Sequence, residues 1–235
     1  LDKVSVVVVA AGRSTRMGGI GSKPYITIGD RPVLGHSLLV FEVSPLVSEI
    51  VVVTEQTEIA RCRSEVVERY GFKKVKNIVA GGSVRQESVW QGLLKISPES
   101  GFVAVHDGAR PLLTVGLLEE VVRCAIQFGS AVTAVPVKDT IKTADADGFV
   151  LDTPDRQRLW AMQTPQVFRY DLLMDAYRRA FSEGIVGTDD AMLMEHSGHP
   201  VKLCMGSYEN IKVTTPEDLD LAELVLRRRS ECGLG

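Results

Sequence analysis

Asp107 is the carboxylate in this sequence best placed for chemistry, and the side chains that would work beside it are cations: Arg110 three residues on, and Arg13, Arg16, Lys23 and Lys212 from distant stretches. Asp107 ends a short apolar run, Phe102 to His106, at the end of a predicted strand where a ligand can be met. Arg13, Arg16 and Lys23 lie among Gly12, Gly18, Gly19 and Gly21. Small residues let a backbone approach a ligand and clustered cations offset its charge, a combination that suits a polyphosphate. A carboxylate beside such a loop is where a magnesium ion is needed, so Asp107 is the expected metal ligand. Arg110 has two readings, a partner for a second phosphate or a structural ion pair with Asp107. Lys212 stands between Ile211 and Val213, and because an unpaired buried lysine is costly, it is expected to face a phosphate. His106 reads as a satisfied core histidine.

The wording of the basic loop narrows its kind. Lys23 is followed by Pro24, so there is no Walker loop, and Ser14 stands where a dinucleotide fingerprint needs its second glycine. What remains is a polyphosphate loop of another type, or a solvated basic loop behind a core strand.

The chain that holds these residues has 235 of them, 45% hydrophobic, with a formal net charge of −3. That length suits one large domain, and with no dominant basic face general nucleic-acid binding is not expected. No run has the length and apolarity of a membrane span, and no secretory signal opens the sequence. Cys62, Cys124, Cys204 and Cys232 lack metal-ligand spacing. They read as free thiols in a reducing compartment, Cys124 and Cys204 being buried small hydrophobes. A cytoplasmic protein is expected, or an organellar one whose targeting peptide has been removed.

Strand and helix patterns alternate. Strands are predicted at Val4–Ala10, Glu49–Thr54, Lys76–Ala80, Phe102–His106, Ser130–Val137, Val201–Met205 and, short, at 210–214. Helices are predicted from Pro32 to about Phe41, at Glu58–Tyr70 closed by Gly71, from Val84 to about Ile96, and at Leu117–Phe128 and Tyr170–Glu183. Two more follow Thr188-Asp189-Asp190, which can cap the first, and Thr215-Pro216. Ser83 and Gln86 form a capping-box pattern. The tail after Arg227-Arg228-Arg229, themselves read as solvated, is expected to be disordered over 231–235. The alternation implies βαβ units: an α/β, mostly parallel, doubly wound, Rossmann-like three-layer sandwich whose ligand site lies at the carboxyl ends of the strands. Residues 1–137 and 161–230 would form one domain. Residues 138–160 are poor in apolar side chains and turn at Asp147-Gly148, a β arm. A lone hairpin is marginal in water, so a homodimer through this arm is expected.

Five separated segments carry a resemblance that runs from Val4 to about Leu226. Ala10-Ala11-Gly12, Arg16-Met17 and Lys23 resemble the signature loop of nucleotidyltransferases that activate sugar or polyol phosphates. His106-Asp107-Gly108-Ala109-Arg110-Pro111 is similar to the His-Asp-Ala-Ala-Arg-Pro segment of the 2-C-methyl-D-erythritol 4-phosphate cytidylyltransferase family. Lys138-Asp139-Thr140-Ile141-Lys142, Asp155-Arg156 and Thr188-Asp189-Asp190 match it further, while Ser14, Ser22, Ser83 and Gly108 depart from its usual residues. The resemblance implies that Ala10, Ala11 and Gly12 meet CTP and that the loop with Gly82, Ser83, Arg85 and Ser88 holds its cytosine. It also implies that Thr140 and Arg156 reach across a dimer to the acceptor phosphate, with Arg110 and Thr188 near the acceptor. Without it, the turn at Gly82 is a plain strand-to-helix connection and Thr140 and Arg156 are polar residues of an arm.

The implied reaction is transfer of a cytidylyl group from CTP to 2-C-methyl-D-erythritol 4-phosphate, with release of pyrophosphate, in the non-mevalonate isoprenoid route. The acceptor phosphate is already an anionic nucleophile, so no general base is required. Arg16, Lys23 and magnesium at Asp107 would hold the triphosphate, and Lys212 would stabilise the α-phosphoryl group. The competing readings are the same chemistry on ribitol 5-phosphate, a nucleotide-sugar synthetase using another nucleotide, and a catalytically silent nucleotide-binding domain.

Overall fold

The computed structural model describes residues 3–12 and 22–232. Arg13, Ser14, Arg16, Met17, Gly18, Gly19 and Gly21 of the basic loop lie outside them, as do 233–235 of the tail. The strands are β1 (Val4–Val9), β2 (Thr27–Ile28), β3 (Arg31–Pro32), β4 (Val47–Thr54), β5 (Val75–Ala80), β6 (Phe102–Asp107), β7 (Ser130–Pro136), β8 (Thr143–Ala144), β9 (Val150–Asp152), β10 (Trp160–Arg169) and β11 (Lys202–Met205). Seven of them form one sheet in the order β11-β7-β10-β6-β1-β4-β5. Every neighbouring pair is parallel except those of β10, which runs against both β6 and β7. The α/β, mostly parallel, doubly wound architecture is therefore the observed one.

The helices are α1 (Val33–Val43), α2 (Ile59–Arg61), α3 (Arg85–Leu93), α4 (Val115–Phe128), α5 (Tyr170–Glu183), α6 (Asp190–His196) and α7 (Pro216–Glu231). Side chains alternate across a strand, and β1 shows why two helical layers are needed. Val4, Val6 and Val8 enter a core with Leu34, Phe41 and Leu118, whereas Val7 and Val9 enter another with Val89, Leu173 and Tyr177. Both sets are buried. α3 lies so close to the sheet that a Cβ on Gly92 would fall 2.5 Å from a Val7 methyl and 2.9 Å from one of Val53.

Several expectations are corrected. The segment expected as one helix at 58–70 is a 3-10 turn, then α2, then a π-helix at Cys62–Glu68, and Gly71 ends it at φ +68°. Ser83 and Gln86 make no capping box: Glu87 Oε2 accepts from Ser83 N and Oγ at 2.7 and 2.8 Å. Gln86 instead donates to Ile185 O at 3.1 Å and accepts from Gly187 N at 2.9 Å, tying α3 to the loop before α6. Residues 210–214 form no strand; Val213 N makes one bond to Ala109 O, 2.8 Å. Arg228 and Arg229 are not merely solvated, since both pair with Glu209, and Arg229 also donates to Leu112 O at 3.1 Å. Cys124 is only partly buried; all four cysteines are free.

The arm is present as the β8–β9 hairpin. Asp145 Oδ1 accepts from Asp147 N and Phe149 N at 3.1 and 2.8 Å, and Gly148 turns the chain at φ +87°. Phe149 and Leu151 are 72% and 67% exposed on it. Among the described residues, no helix is long and apolar enough to cross a membrane.

Candidate active site

Sheet register brings the chemistry together. Val9 pairs with both Val53 and Asp107, and Val53 pairs with Val79, so β5, β4, β1 and β6 end along one edge. The ladder extends one residue further: Ala10 N, Gly81 N and Gly108 N donate to Val53 O, Thr54 O and Val9 O at 2.7, 2.8 and 2.8 Å. Below this edge lies fully buried His106, its Nδ1 3.0 Å from Thr164 Oγ1 and its Nε2 3.3 Å from Arg110 O. Burial pushes the His106 imidazole down to about 4, so it is neutral near pH 7 and serves as structure, as expected. Thr164 Oγ1 also accepts from Asp107 N at 3.0 Å, which fixes the aspartate backbone.

Asp107 is nearly buried and faces cations on both oxygens. Arg85 Nε lies 3.2 Å from Oδ1, and Lys212 Nζ lies 2.7 Å from Oδ2, with Arg110 Nε at 3.9 Å. Burial alone would raise the carboxyl, but Arg85, Lys212 and Arg110 outweigh it and hold it well below the usual carboxylate range. Arg110 is anchored by Asn210 O at 2.7 Å, and burial lowers its guanidinium despite Asp107. Its buried Nε has no hydrogen-bond partner among the described residues, so the ion pair with Asp107 leaves a donor to spare.

Arg85 has a second anchor that the sequence did not announce. Its Nη2 lies 2.8 Å from Oδ2 of fully buried Asp190, whose Oδ1 accepts from Tyr177 Oη at 2.5 Å. Capping of α6 falls to Asp189, which accepts from Met192 N at 3.0 Å, as the Thr-Asp-Asp pattern predicts.

Three adjoining recesses meet at Arg85. One is lined by Ala10, Ala11, Gly12, Lys23, Pro24, Arg85, Asp107, Ala109 and Lys212. A second adds Arg110, Met162, Gln163, Thr164, Gln166, Thr188 and Asp189 to Arg85, Asp107 and Lys212. A third is bounded by Ala11, Gly12, Glu55, Gly82, Ser83, Val84, Arg85 and Ser88. Ser88 Oγ accepts from Gly82 N at 3.1 Å and donates to Val84 O at 3.1 Å, bracing that rim. A Cβ on Gly81 would come within 2.6 Å of the Ala11 Cβ and 2.7 Å of Ser88 Oγ, so the loop path requires glycine there.

The cleft thus gathers Ala10, Ala11, Gly12, Lys23, Gly82, Ser83, Arg85, Ser88, Asp107, Arg110, Thr188 and Lys212. Arg16 lies outside the described residues. Thr140 and Arg156 do not line these recesses; they belong to the arm, where Arg156 Nη1 donates to Lys138 O at 2.7 Å. Gln163 and Gln166 were not foreseen as site residues, and Asp189 and Asp190 were read as a helix cap within a segment that the family carries near the acceptor. Two glutamines on either side of Thr164-Pro165, all returning to the sheet in β10, were the available signal for the first pair. Among the described residues there is no group of three or more His, Cys, Asp or Glu arranged to hold a metal.

The family model described as IspD, 2-C-methyl-D-erythritol 4-phosphate cytidylyltransferase, matches residues 4–228. The chain is 52% identical to a protein of that name from Pelotomaculum thermopropionicum, over 97% of this chain and 96% of the relative. It is 49% identical to one from Caldanaerobacter subterraneus, over 96% and 99%. Its fold is similar to the crystal structure of 4-diphosphocytidyl-2C-methyl-D-erythritol synthase from Anaerococcus prevotii, with TM-score 0.84, 30% identity, and 97% and 99% of the two chains covered. The Thermus thermophilus cytidylyltransferase superposes with TM-score 0.78 at 32% identity, over 96% and 99%. With a match over nearly its whole length, the chain belongs to the 2-C-methyl-D-erythritol 4-phosphate cytidylyltransferase family.

Proposed function

We propose that this chain transfers the cytidylyl group of CTP to 2-C-methyl-D-erythritol 4-phosphate, giving 4-diphosphocytidyl-2-C-methyl-D-erythritol and pyrophosphate. The observation that carries the reading is the cleft at the sheet edge, where Lys23, Arg85 and Lys212 line one recess with Asp107 at its floor. Such a set neutralises a polyphosphate and offers no general base, and none is needed when a phosphate oxygen attacks phosphorus. Neutral, buried His106 is consistent with this.

In this reading Ala10, Ala11, Gly12, Gly82, Ser83 and Ser88 receive the nucleoside end of CTP, and Lys23 with Arg16 binds the departing pyrophosphate. Lys212 is placed to leave Asp107 for the α-phosphoryl group as negative charge builds there. Arg110 and Thr188, on the second recess, orient the acceptor. A lone carboxylate suits magnesium, which keeps water and phosphate oxygens for its other positions; Asp107 would hold it, and it would supply further charge neutralisation.

The working form is proposed to be a homodimer. Exposed Phe149, Val150 and Leu151 on the arm favour burial against a second copy. Thr140 and Arg156 would then serve the acceptor phosphate of the neighbouring subunit. Free cysteines favour a reducing setting, the cytoplasm or an organellar stroma, and neither nucleic acid nor membrane is proposed as a partner.

The test is pyrophosphate release from CTP and magnesium with 2-C-methyl-D-erythritol 4-phosphate or ribitol 5-phosphate as acceptor. Release only with the first is expected. Release mainly with the second would change the substrate, and CTP binding without release would favour a silent nucleotide-binding domain.

A further inference from the structure

Arg85 borders all three recesses, and its side chain is 25% exposed to them. Its grip on fully buried Asp190, 2.8 Å, is closer than its 3.2 Å contact with Asp107. The second Asp190 oxygen is taken by Tyr177 Oη, and the Tyr177 ring stacks on Trp90 with centroids 5.9 Å apart and planes 13° off parallel. Trp90 and Arg85 share α3, so the contacts close a ring through α3, α5 and α6. Gln86 reinforces it by bonding on both sides to the 185–187 loop.

We propose that Tyr177 and Asp190 are a buried positioning pair that fixes the Arg85 guanidinium at the junction of the recesses, where it meets bound nucleotide. This rests on the proposed CTP site and extends it to two residues with no access to ligand. The physical reason is competition. An arginine without Asp190 has Asp107 as its remaining anionic partner and turns onto it, withdrawing from the nucleotide and occupying the carboxylate at the floor. With Asp190 in place, its charge is balanced from behind, and Asp107 is free to exchange partners.

The experiment is a double-mutant cycle on the full chain, with the dissociation constant of CTP in magnesium buffer read by calorimetry. Tyr177→Phe removes one hydrogen bond, and Asp190→Asn removes the charge while keeping the shape; thermal unfolding verifies that each is folded. Tyr177→Phe should weaken CTP binding about 3- to 10-fold and Asp190→Asn about 10-fold or more, yet either should add less than about twofold once Arg85→Ala is present. If Asp190→Asn does not fold, Tyr177→Phe decides alone. Equal losses in both backgrounds, or unchanged CTP binding with a lowered melting temperature, would overturn the proposal in favour of a purely structural pair. Wild-type CTP affinity in Arg85→Ala would overturn it as well. Absence of CTP binding by the unaltered chain would overturn the function and this inference together, whereas binding with uncoupled variants would overturn the inference alone.

Discussion

Lys212 Nζ stands 2.7 Å from Oδ2 of Asp107, a contact made by a loop rather than by a neighbouring strand. The loop is set by Val213 N bonding to Ala109 O and by Asn210, which donates to Thr164 O at 2.9 Å and accepts from Arg110. The position of Lys212 is therefore determined by the backbone around it, and its amine meets Asp107. Lys212→Ala should lower kcat about 10²- to 10³-fold, as removal of one well-placed charge donor does. Its side chain is 42% exposed, so the melting temperature should barely move. Steady-state pyrophosphate release and thermal unfolding check the two halves; retained turnover would remove Lys212 from the mechanism.

His106 makes stability depend on pH. Its folded pKa, about 4, lies below the ordinary value near 6.5, so the unfolded chain takes up the proton first as pH falls. Its contribution is whole above pH ~6.5 and declines toward pH ~4, by about 3 kcal/mol. Urea unfolding between these limits should show a slope that flattens in His106→Gln. Asp107 acts in a lower window, since a depressed carboxyl loses its contribution only as pH falls below about 3.9.

The rim at Gly81 has no room for a methyl group. Gly81→Ala would drive a Cβ against Ala11 and Ser88 Oγ, at 2.6 and 2.7 Å, and push the two sides of the third recess apart. KM for CTP should rise about 10-fold, with a smaller effect on the acceptor KM. An equal rise for both substrates would point to general loosening of the edge.

The arm gives a prediction about assembly. Phe149→Asp with Leu151→Asp places charge on the most exposed apolar part of the hairpin. Light scattering should report half the mass of the unaltered protein, and turnover should fall with it, because Thr140 and Arg156 would no longer meet a neighbouring site. Unchanged mass would move the subunit contact elsewhere.

Much of this molecule was legible because the central strands are valine-rich runs that stop where polar residues begin. β1 ends before Ala10-Ala11-Gly12 and β6 ends in Asp107 itself, so both sequence and fold locate the floor of the site. Lys212 was read as a lysine too costly to bury unpaired and so facing a phosphate; its side chain is instead 42% exposed and pairs with Asp107, although the reading did bring it to this edge. Asp190 was not, because an aspartate after Asp189 satisfies a capping pattern whether or not its side chain turns inward, and its partners come from α3 and α5. Gln86 misled for a similar reason: a glutamine three residues after a serine fits a capping box, but a buried contact with Ile185 and Gly187 prevailed. The π-helix at Cys62–Glu68 leaves no distinct period in so short a stretch.

β10, antiparallel to β6 and β7, has a consequence for how the arm joins the sheet. Because β7 rises toward the edge that holds Asp107 and β10 descends from it, the chain leaves and re-enters the sheet on the same side, and residues 137–159 are spliced in there. Neither the pairing of Gln166 with Val105 nor that of Val9 with Asp107 draws on a residue of that excursion. The strands that carry Asp107 and the hairpin beyond them are thus held by separate backbone contacts, so the register of the first does not depend on the pairing within the second.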